Sequence, residues 1–203
     1  MSCSQIAFPR AVLFDMDGTL TEPTFDFPGL RKQLGLPAGA PILEGIEALE
    51  PGPRERATQV LAEYEDEMAA TASLAEGCEQ LLHYLLGRKV QLAVITRNRR
   101  ASVATFLKRH PLPIEVWITR EDAPHKPDPA SLLQACQRLG AAAGGAWMIG
   151  DGLYDVEAGI NAGMATIWLA HGRTRDFAAT PWKTVQRLCD VLKVCQDCDK
   201  KGE

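Results

Sequence analysis

The sequence has little to offer a membrane, an export route or a disulfide framework. No apolar run approaches the ~20 residues a transmembrane helix needs. Met1 to Arg10 lack the basic start and long apolar stretch of a signal peptide, so a cytoplasmic address is expected. The six cysteines, Cys3, Cys78, Cys136, Cys189, Cys195 and Cys198, are scattered, with none of the framing of a disulfide scaffold. Cys195 and Cys198 have zinc-like spacing, but no second Cys or His pair follows them. A reduced, frayed C-terminal tail is expected there instead of a structural zinc. Positive charge is not in excess either: 22 Lys and Arg against 26 Asp and Glu leave a net charge of −4. That balance speaks against nucleic acid as the main ligand. There is no internal repeat and no low-complexity tract. The 203 residues, 46% of them hydrophobic, suffice for one sizeable core and a small appendage.

What is present is organised around Ala11-Val12-Leu13-Phe14-Asp15-Met16-Asp17-Gly18-Thr19. Four apolar residues end in two carboxylates with one residue between them. The run suits a strand buried on both faces, and Asp-Gly then forces a turn. Two acids past the end of a buried strand lie where open α/β sheets place their chemistry. Burying two like charges is costly without a cation or a shared proton, which hints at a metal and at acid/base work. The competing readings are a solvated Asx turn and a calcium loop. The latter fails in detail, with glycine at its fourth position, Leu20 at its sixth and Pro23 interrupting it.

After Thr19 the pattern turns helical. Phe27, Leu30, Leu34 and Leu36 mark a first short helix, ended by Gly35 and Pro37. Ile42, Ile46 and Leu49 mark a second, closed by Pro51-Gly52-Pro53. A third runs from Arg54 to about Ser73, with Val60, Leu61, Tyr64 and Met68 on one stripe. No strand candidate lies here, so residues 21–75 are expected to form a small helical insert. From Gly77 helices and strands alternate. Strands are expected at Val90 to Ile95, Ile114 to Ile118, Ala146 to Ile149 and Ala165 to Leu169. Helices are expected at Cys78 to Leu86, Ser102 to Arg109, Ala130 to Leu139, Tyr154 to Ala162 and Thr184 to Val194. This predicts an α/β fold with a doubly wound, five-stranded parallel Rossmann-like sheet. Residues 1–20 and 76–203 would form its core, and the termini would be disordered.

Three more strand ends carry polar residues. Val90 to Ile95 runs into Thr96-Arg97-Asn98, where a hydroxyl can donate to an anion or cap a helix. His125-Lys126-Pro127-Asp128-Pro129 restrains one lysine with two prolines, suited to a fixed counter-charge, although taken alone the stretch reads as a surface lysine in a Pro-rich turn. His125 reads as a surface or packing histidine. Trp147-Met148-Ile149-Gly150-Asp151 again ends a buried strand in an acid. Asp155 follows, able to meet the next helix dipole or a metal.

Strand–Asp-x-Asp, strand–Thr, Pro-flanked Lys and strand–Asp-x-x-x-Asp, in that order, resemble the four motifs of the haloacid dehalogenase superfamily, over about Ala11 to Leu169. The insert resembles that superfamily's helical cap, and the chain is most similar to the phosphoglycolate phosphatase-like branch. The resemblance implies a central first strand and a magnesium-dependent phosphatase. In it Asp15 would be the nucleophile and Asp17 the general acid and base. Mg²⁺ would be held by Asp15, the Asp17 carbonyl and Asp151, with Asp155 directly or through water. Thr96 and Lys126 would hold the phosphoryl oxygens, and Arg97 and Asn98 would touch the leaving group. The superfamily's haloacid-cleaving members lack an acid at Asp17, because a halide needs no proton, so phosphate esters are implied. One departure is Gly152, where the last motif often carries Ser. The expected partner is a small phosphorylated metabolite, the expected state a monomer or weak homodimer. A phosphomutase, or a non-catalytic binding module, is the alternative. The insert's basic residues, Arg31, Lys32, Arg54 and Arg56, read as solvated helix faces.

Overall fold

A computed structural model describes residues 6–200. The expectations for Cys3 and for disorder at the first residues and at Lys201 lie outside them. Among the described residues, six parallel strands form one sheet in the order β3-β2-β1-β4-β5-β6. These are β1 (Ala11–Phe14), β2 (Gln91–Ile95), β3 (Val116–Ile118), β4 (Ala146–Gly150), β5 (Ala165–Leu169) and β6 (Lys183–Val185). Chain order runs outward from β1 in one direction, then resumes on its other side at β4. The strand order therefore reverses beside β1, and a crevice opens there at the carboxyl edge. In register, Phe14 lies opposite Val94 on one side and Ile149 on the other. The three segments that follow these residues thus emerge side by side.

Alternation along the strands divides the core in two. Val12, Phe14, Val94, Trp147 and Ile149 face one layer of helices. That layer is α4 (Cys78–Gly87), α5 (Arg100–Arg109) and α8 (Leu188–Asp199), which contribute Leu81, Leu82, Leu85, Phe106, Leu188 and Val191. Ala11, Leu13, Ala93, Ile95 and Met148 face α6 (Ala130–Leu139) and α7 (Leu153–Asn161) through Leu132, Ala135 and Ala158. Both faces of β1 are covered, which explains its uninterrupted apolar run.

Between β1 and α4 the chain makes α1 (Phe27–Gln33), α2 (Ile42–Glu47) and α3 (Pro51–Thr71). It leaves and returns at one place: Thr21 and Leu74 form an antiparallel bridge, and the Ala75 N–H donates to the Leu20 carbonyl at 2.8 Å. The three helices share their own apolar cluster, Leu30, Leu34, Ile46, Ala57 and Leu61. α3 also packs along α5.

Four expectations are corrected. The sheet has six strands, not five, because Lys183–Val185 pairs with β5. The closing helix therefore runs over Leu188–Asp199, not from Thr184 to Val194. α3 starts at Pro51, because proline is tolerated in a first helical turn, where its missing N–H has no partner to lose. The C-terminal segment is not frayed through Cys195, which is fully buried against the core on α8.

Candidate active site

The turn after β1 brings the first two acids to the crevice. Asp15 is still extended, and its N–H donates to the Ile149 carbonyl at 2.9 Å. The chain then turns over Met16–Leu20 with Gly18 at φ 72°, in the left-handed region open to glycine. A Cβ on Gly18 would come within 2.7 Å of Asp151 Oδ2, so the close approach of the two acidic turns depends on this glycine. A ring nitrogen of His171 donates to the Gly18 carbonyl at 2.7 Å and fixes the turn from the end of β5.

Lys126 comes from the loop between β3 and α6. Its side chain is 2% exposed, and the ammonium donates to three oxygens. These are Asp15 Oδ1 at 2.6 Å, Asp155 Oδ1 at 2.6 Å and the Ile95 carbonyl at 2.7 Å. It is a buried counter-charge, not a surface lysine. Asp155, in the first turn of α7, also accepts the Gly152 N–H at 2.8 Å through its other oxygen. A Cβ at Gly150 would fall 2.3 Å from the Asp155 Cβ, so β4 must end in glycine for Asp155 to enter the crevice. Asp151 is held by the Arg173 guanidinium at 2.9 Å.

Asp15, Asp151 and Asp155 each offer a carboxylate oxygen, all within 4.8 Å of one another. Such a set of hard oxygens in a buried setting suits a hard divalent cation such as magnesium. Burial, then the charge of Asp155, pushes the Asp15 carboxyl well above its usual range, although Lys126 pulls it down. Burial and Asp155 likewise raise Asp151. Lys126 and Arg173 leave the three carboxylates with excess negative charge, which a divalent cation would offset. Asp17 differs. Burial raises it to about 7, despite the Asn98 side-chain amide donating to Oδ2 at 2.7 Å. Its Oδ1 is buried with no hydrogen-bond partner. A carboxyl near neutrality with a free buried oxygen is suited to carry a proton to or from a ligand.

Asp15, Asp17, Asp151, Asp155, Lys126 and Asn98 line one cavity of about 530 Å³, with residues of α1, α2 and α3. Thr96 does not line it: at 3% exposure it follows β2, and its hydroxyl accepts the Asn98 N–H at 3.0 Å. Arg97 borders the cavity, but its guanidinium is engaged. It meets both Glu44 oxygens at 2.8 and 2.7 Å, donates to the Lys126 carbonyl at 2.9 Å and lies 4.4 Å from the Tyr154 ring centre. His125 is half-buried near Glu44, at 3.8 Å. Of the insert's basic residues, Arg31 also lines the cavity, where its Nε donates to the Ala40 carbonyl at 2.7 Å.

Sequence reasoning missed Glu65, Arg120, His171 and Arg173. Glu65 is 6% exposed on α3 and pairs with Arg120 and Arg99 of the core. A signal was present: Ala57, Leu61, Glu65 and Ala69 form one buried line at four-residue spacing, and an acid in such a line needs a partner. His171 and Arg173 had the signal that Asp15, Thr96 and Asp151 carry, polar groups just past a buried strand.

The family sequence model described as haloacid dehalogenase-like hydrolase matches residues 31–169. A haloacid dehalogenase-like hydrolase domain-containing protein of Arabidopsis thaliana is 33% identical over 79% of this chain and 70% of its own. A phosphoglycolate phosphatase of Rhodospirillum rubrum is 27% identical over 85% of this chain and 84% of its own. The crystal structure of a hydrolase from Pseudomonas syringae superposes with a TM-score of 0.78 at 20% identity, covering 93% of this chain and 98% of that one.

Proposed function

The chain belongs to the haloacid dehalogenase-like hydrolase family, and on that premise we propose that it is a magnesium-dependent phosphatase acting on a small phosphate monoester through an aspartyl phosphate. The observation that carries the proposal is the state of Asp15: a buried carboxylate at the strand-order reversal, with one oxygen held by Lys126 at 2.6 Å and a cavity before it. A carboxylate restrained in this way is presented to one phosphorus position, and positioning is most of what phosphoryl transfer asks of a protein. Asp15 attacks phosphorus, the bond to the ester oxygen breaks, and the phosphoryl group passes to the carboxylate. Asp17 gives its proton to the departing alkoxide, then takes one from the water that cleaves the acyl phosphate. Asn98, on Oδ2, leaves Oδ1 for that proton. Lys126 offsets charge on Asp15 and on the phosphoryl oxygens, while Thr96, buried behind the cavity wall, holds Asn98 in place by accepting its N–H.

Asp15, Asp151, Asp155 and the Asp17 carbonyl would hold the magnesium. When bound it supplies positive charge against which an anionic nucleophile can meet an anionic ester. Residues 21–75 serve as the cap over this end of the sheet, and residues 1–20 with 76–203 as the core. The name of the Rhodospirillum rubrum relative supports a small phosphorylated substrate. No described helix is long and apolar enough to cross a membrane, and a cytoplasmic monomer or weak homodimer is part of the same reading.

The test is hydrolysis of p-nitrophenyl phosphate with and without Mg²⁺, in the native chain and in Asp15→Asn. Phosphate release that requires Mg²⁺ and disappears in the folded variant is expected. Near-native rates in the variant, or no Mg²⁺-dependent release from the native chain, would overturn the proposal.

A further inference from the structure

The cavity in front of Asp15 has two unlike walls. The sheet side is charged, with Asp15, Asp17, Asp151, Asp155 and Lys126. The side formed by the insert is apolar: Phe27, Leu30, Ile42, Leu43, Leu61 and Met68. Phe25 also lines it and stacks on Phe27, ring centres 5.6 Å apart and planes 14° apart. Phe27 is 42% exposed, a large aromatic left open to solvent.

The polar side chains bordering this wall, from the insert and from the core, are mostly engaged. The Tyr64 hydroxyl accepts the Asp26 N–H at 2.9 Å. Arg31 Nε is on the Ala40 carbonyl, Arg97 is on Glu44, and Arg173 is on Asp151. Arg175 lines the cavity as well and is exposed. A sugar or hydroxy acid entering here would turn its hydroxyl or carboxyl groups toward phenyl and alkyl surfaces. Polar groups desolvated without partners lose affinity, and apolar groups gain it. Size points the same way. About 530 Å³ lies within the ~300–1,000 Å³ of sites that hold drug-sized ligands, and the phosphate of a two-carbon hydroxy acid would leave most of it unfilled.

Resting on the phosphatase reading, we propose that the alcohol portion of the substrate is apolar: the site takes the phosphate monoester of an alkyl or aryl alcohol. The phosphoryl group lies at the carboxylates and Lys126, and the alcohol extends along Phe27, Ile42, Leu43 and Met68. The walls therefore select the leaving group by the apolar area it buries.

The test separates binding from turnover. Methyl-, butyl-, hexyl- and octylphosphonate are titrated calorimetrically into the native chain with Mg²⁺, beside phosphoglycolate and glucose 6-phosphate bound to the non-turning Asp15→Asn chain with hexylphosphonate as its reference. Burial worth about 0.8 kcal/mol per methylene predicts affinity rising about 3- to 4-fold per carbon between butyl and hexyl. Phe27→Ser, a change at an exposed position, should lower the hexyl-to-methyl affinity ratio at least about 5-fold. A flat alkyl series, or tighter binding of phosphoglycolate or glucose 6-phosphate than of hexylphosphonate, would overturn the inference. p-Nitrophenyl phosphate hydrolysis tells the two failures apart. Hydrolysis with a flat series removes only the apolar subsite, whereas a steep series without hydrolysis keeps the subsite and removes the phosphatase reading.

Discussion

Replacing Lys126 with methionine should destabilise the folded chain by about 3–5 kcal/mol in metal-free buffer, the usual cost of removing one partner from a buried ion pair. The perturbation is clean in shape, since methionine fills most of the lysine's volume. It removes an ammonium held at 2.6 Å from Asp15 and at 2.6 Å from Asp155, with a side chain 2% exposed. Unit charges ~4 Å apart attract by about 4 kcal/mol at an effective dielectric constant near 20. Two such attractions are offset by the desolvation of three groups and by repulsion between the carboxylates. The variant keeps the desolvation of the two carboxylates and their repulsion and loses both attractions. For a chain of this size the loss corresponds to a fall of roughly 6–20 °C in midpoint.

The deficit should also depend on pH, with a definite sign. Burial and Asp155 already raise Asp15 well above the ordinary carboxylate range, and Lys126 is what lowers it. Without the lysine it rises further. A folded carboxyl of raised pKa keeps a proton that the unfolded chain has released, so stability falls as pH rises from about 4 through the folded value. The deficit of the variant should grow as pH rises through the folded Asp15 value of the native chain, by at most about 1.4 kcal/mol per pH unit for each proton. Urea unfolding in EDTA, followed by the fluorescence of the buried Trp147 and Trp168, measures it. A deficit below about 1 kcal/mol, or one that shrinks as pH rises, would refute the account of Lys126 as the counter-charge of the cluster.

Asp17→Asn should slow aspartyl-phosphate formation from alkyl esters by about 10²–10⁴-fold in single turnovers while sparing p-nitrophenyl phosphate, whose leaving group needs little protonation; equal losses for both would end the acid assignment. Mg²⁺ at a hundred times its dissociation constant should stabilise the native chain by about 2.7 kcal/mol. Asp151→Asn should abolish most of that gain, read as the shift in midpoint with added Mg²⁺. Asp122 reports on pH in the opposite sense from Asp15. Burial would raise it, but the Thr119 N–H and hydroxyl and the Arg100 guanidinium together lower it. Its stabilisation is therefore present above about pH 4 and lost as pH falls through the depressed folded value. Asp122→Asn should cost about 1–2 kcal/mol at pH 7, with the gap to the native chain closing near pH 3 in urea titrations.

The fold was legible where a pattern and its partner are close in sequence. β1 is buried on both faces, so its apolar run is unbroken, and the same holds for β4. β6 escaped because an edge strand of three residues has no such run. Lys183 and Thr184 are exposed, and Val185 continues the apolar spacing of the helix behind it. Pro51 was read as a stop because proline ends helices when it follows them, and the sequence does not say on which side of the boundary it stands. Cys195 looked like tail, since two cysteines near a charged terminus carry no signal of the buried face that α8 presents to α4.

In the site, residues defined by their own strand end were legible, and residues defined by a distant partner were not. Arg97 shows the difference. Its place beside Thr96 locates its backbone near the crevice, and from that it was expected to meet a leaving group. The direction of its side chain is decided by Glu44, 53 positions earlier on α2. The same arithmetic of charge recurs along the insert. Glu65 pairs with Arg120 and Arg99, and Asp66 with Arg99 and Ser102. Glu44, Glu65 and Asp66 are acids that an isolated helix would expose to water, and Arg97, Arg99 and Arg120 are bases of the core that they meet. Brought together they cancel. At the cavity the insert engages Arg97 through Glu44, and beside that pair it presents Phe27, Leu30, Ile42, Leu43 and Met68. Within the carboxylate cluster, positive charge for an anionic group comes from Lys126 and whatever cation the three carboxylates hold, which places a phosphoryl group there and leaves the facing apolar wall to discriminate by apolar area.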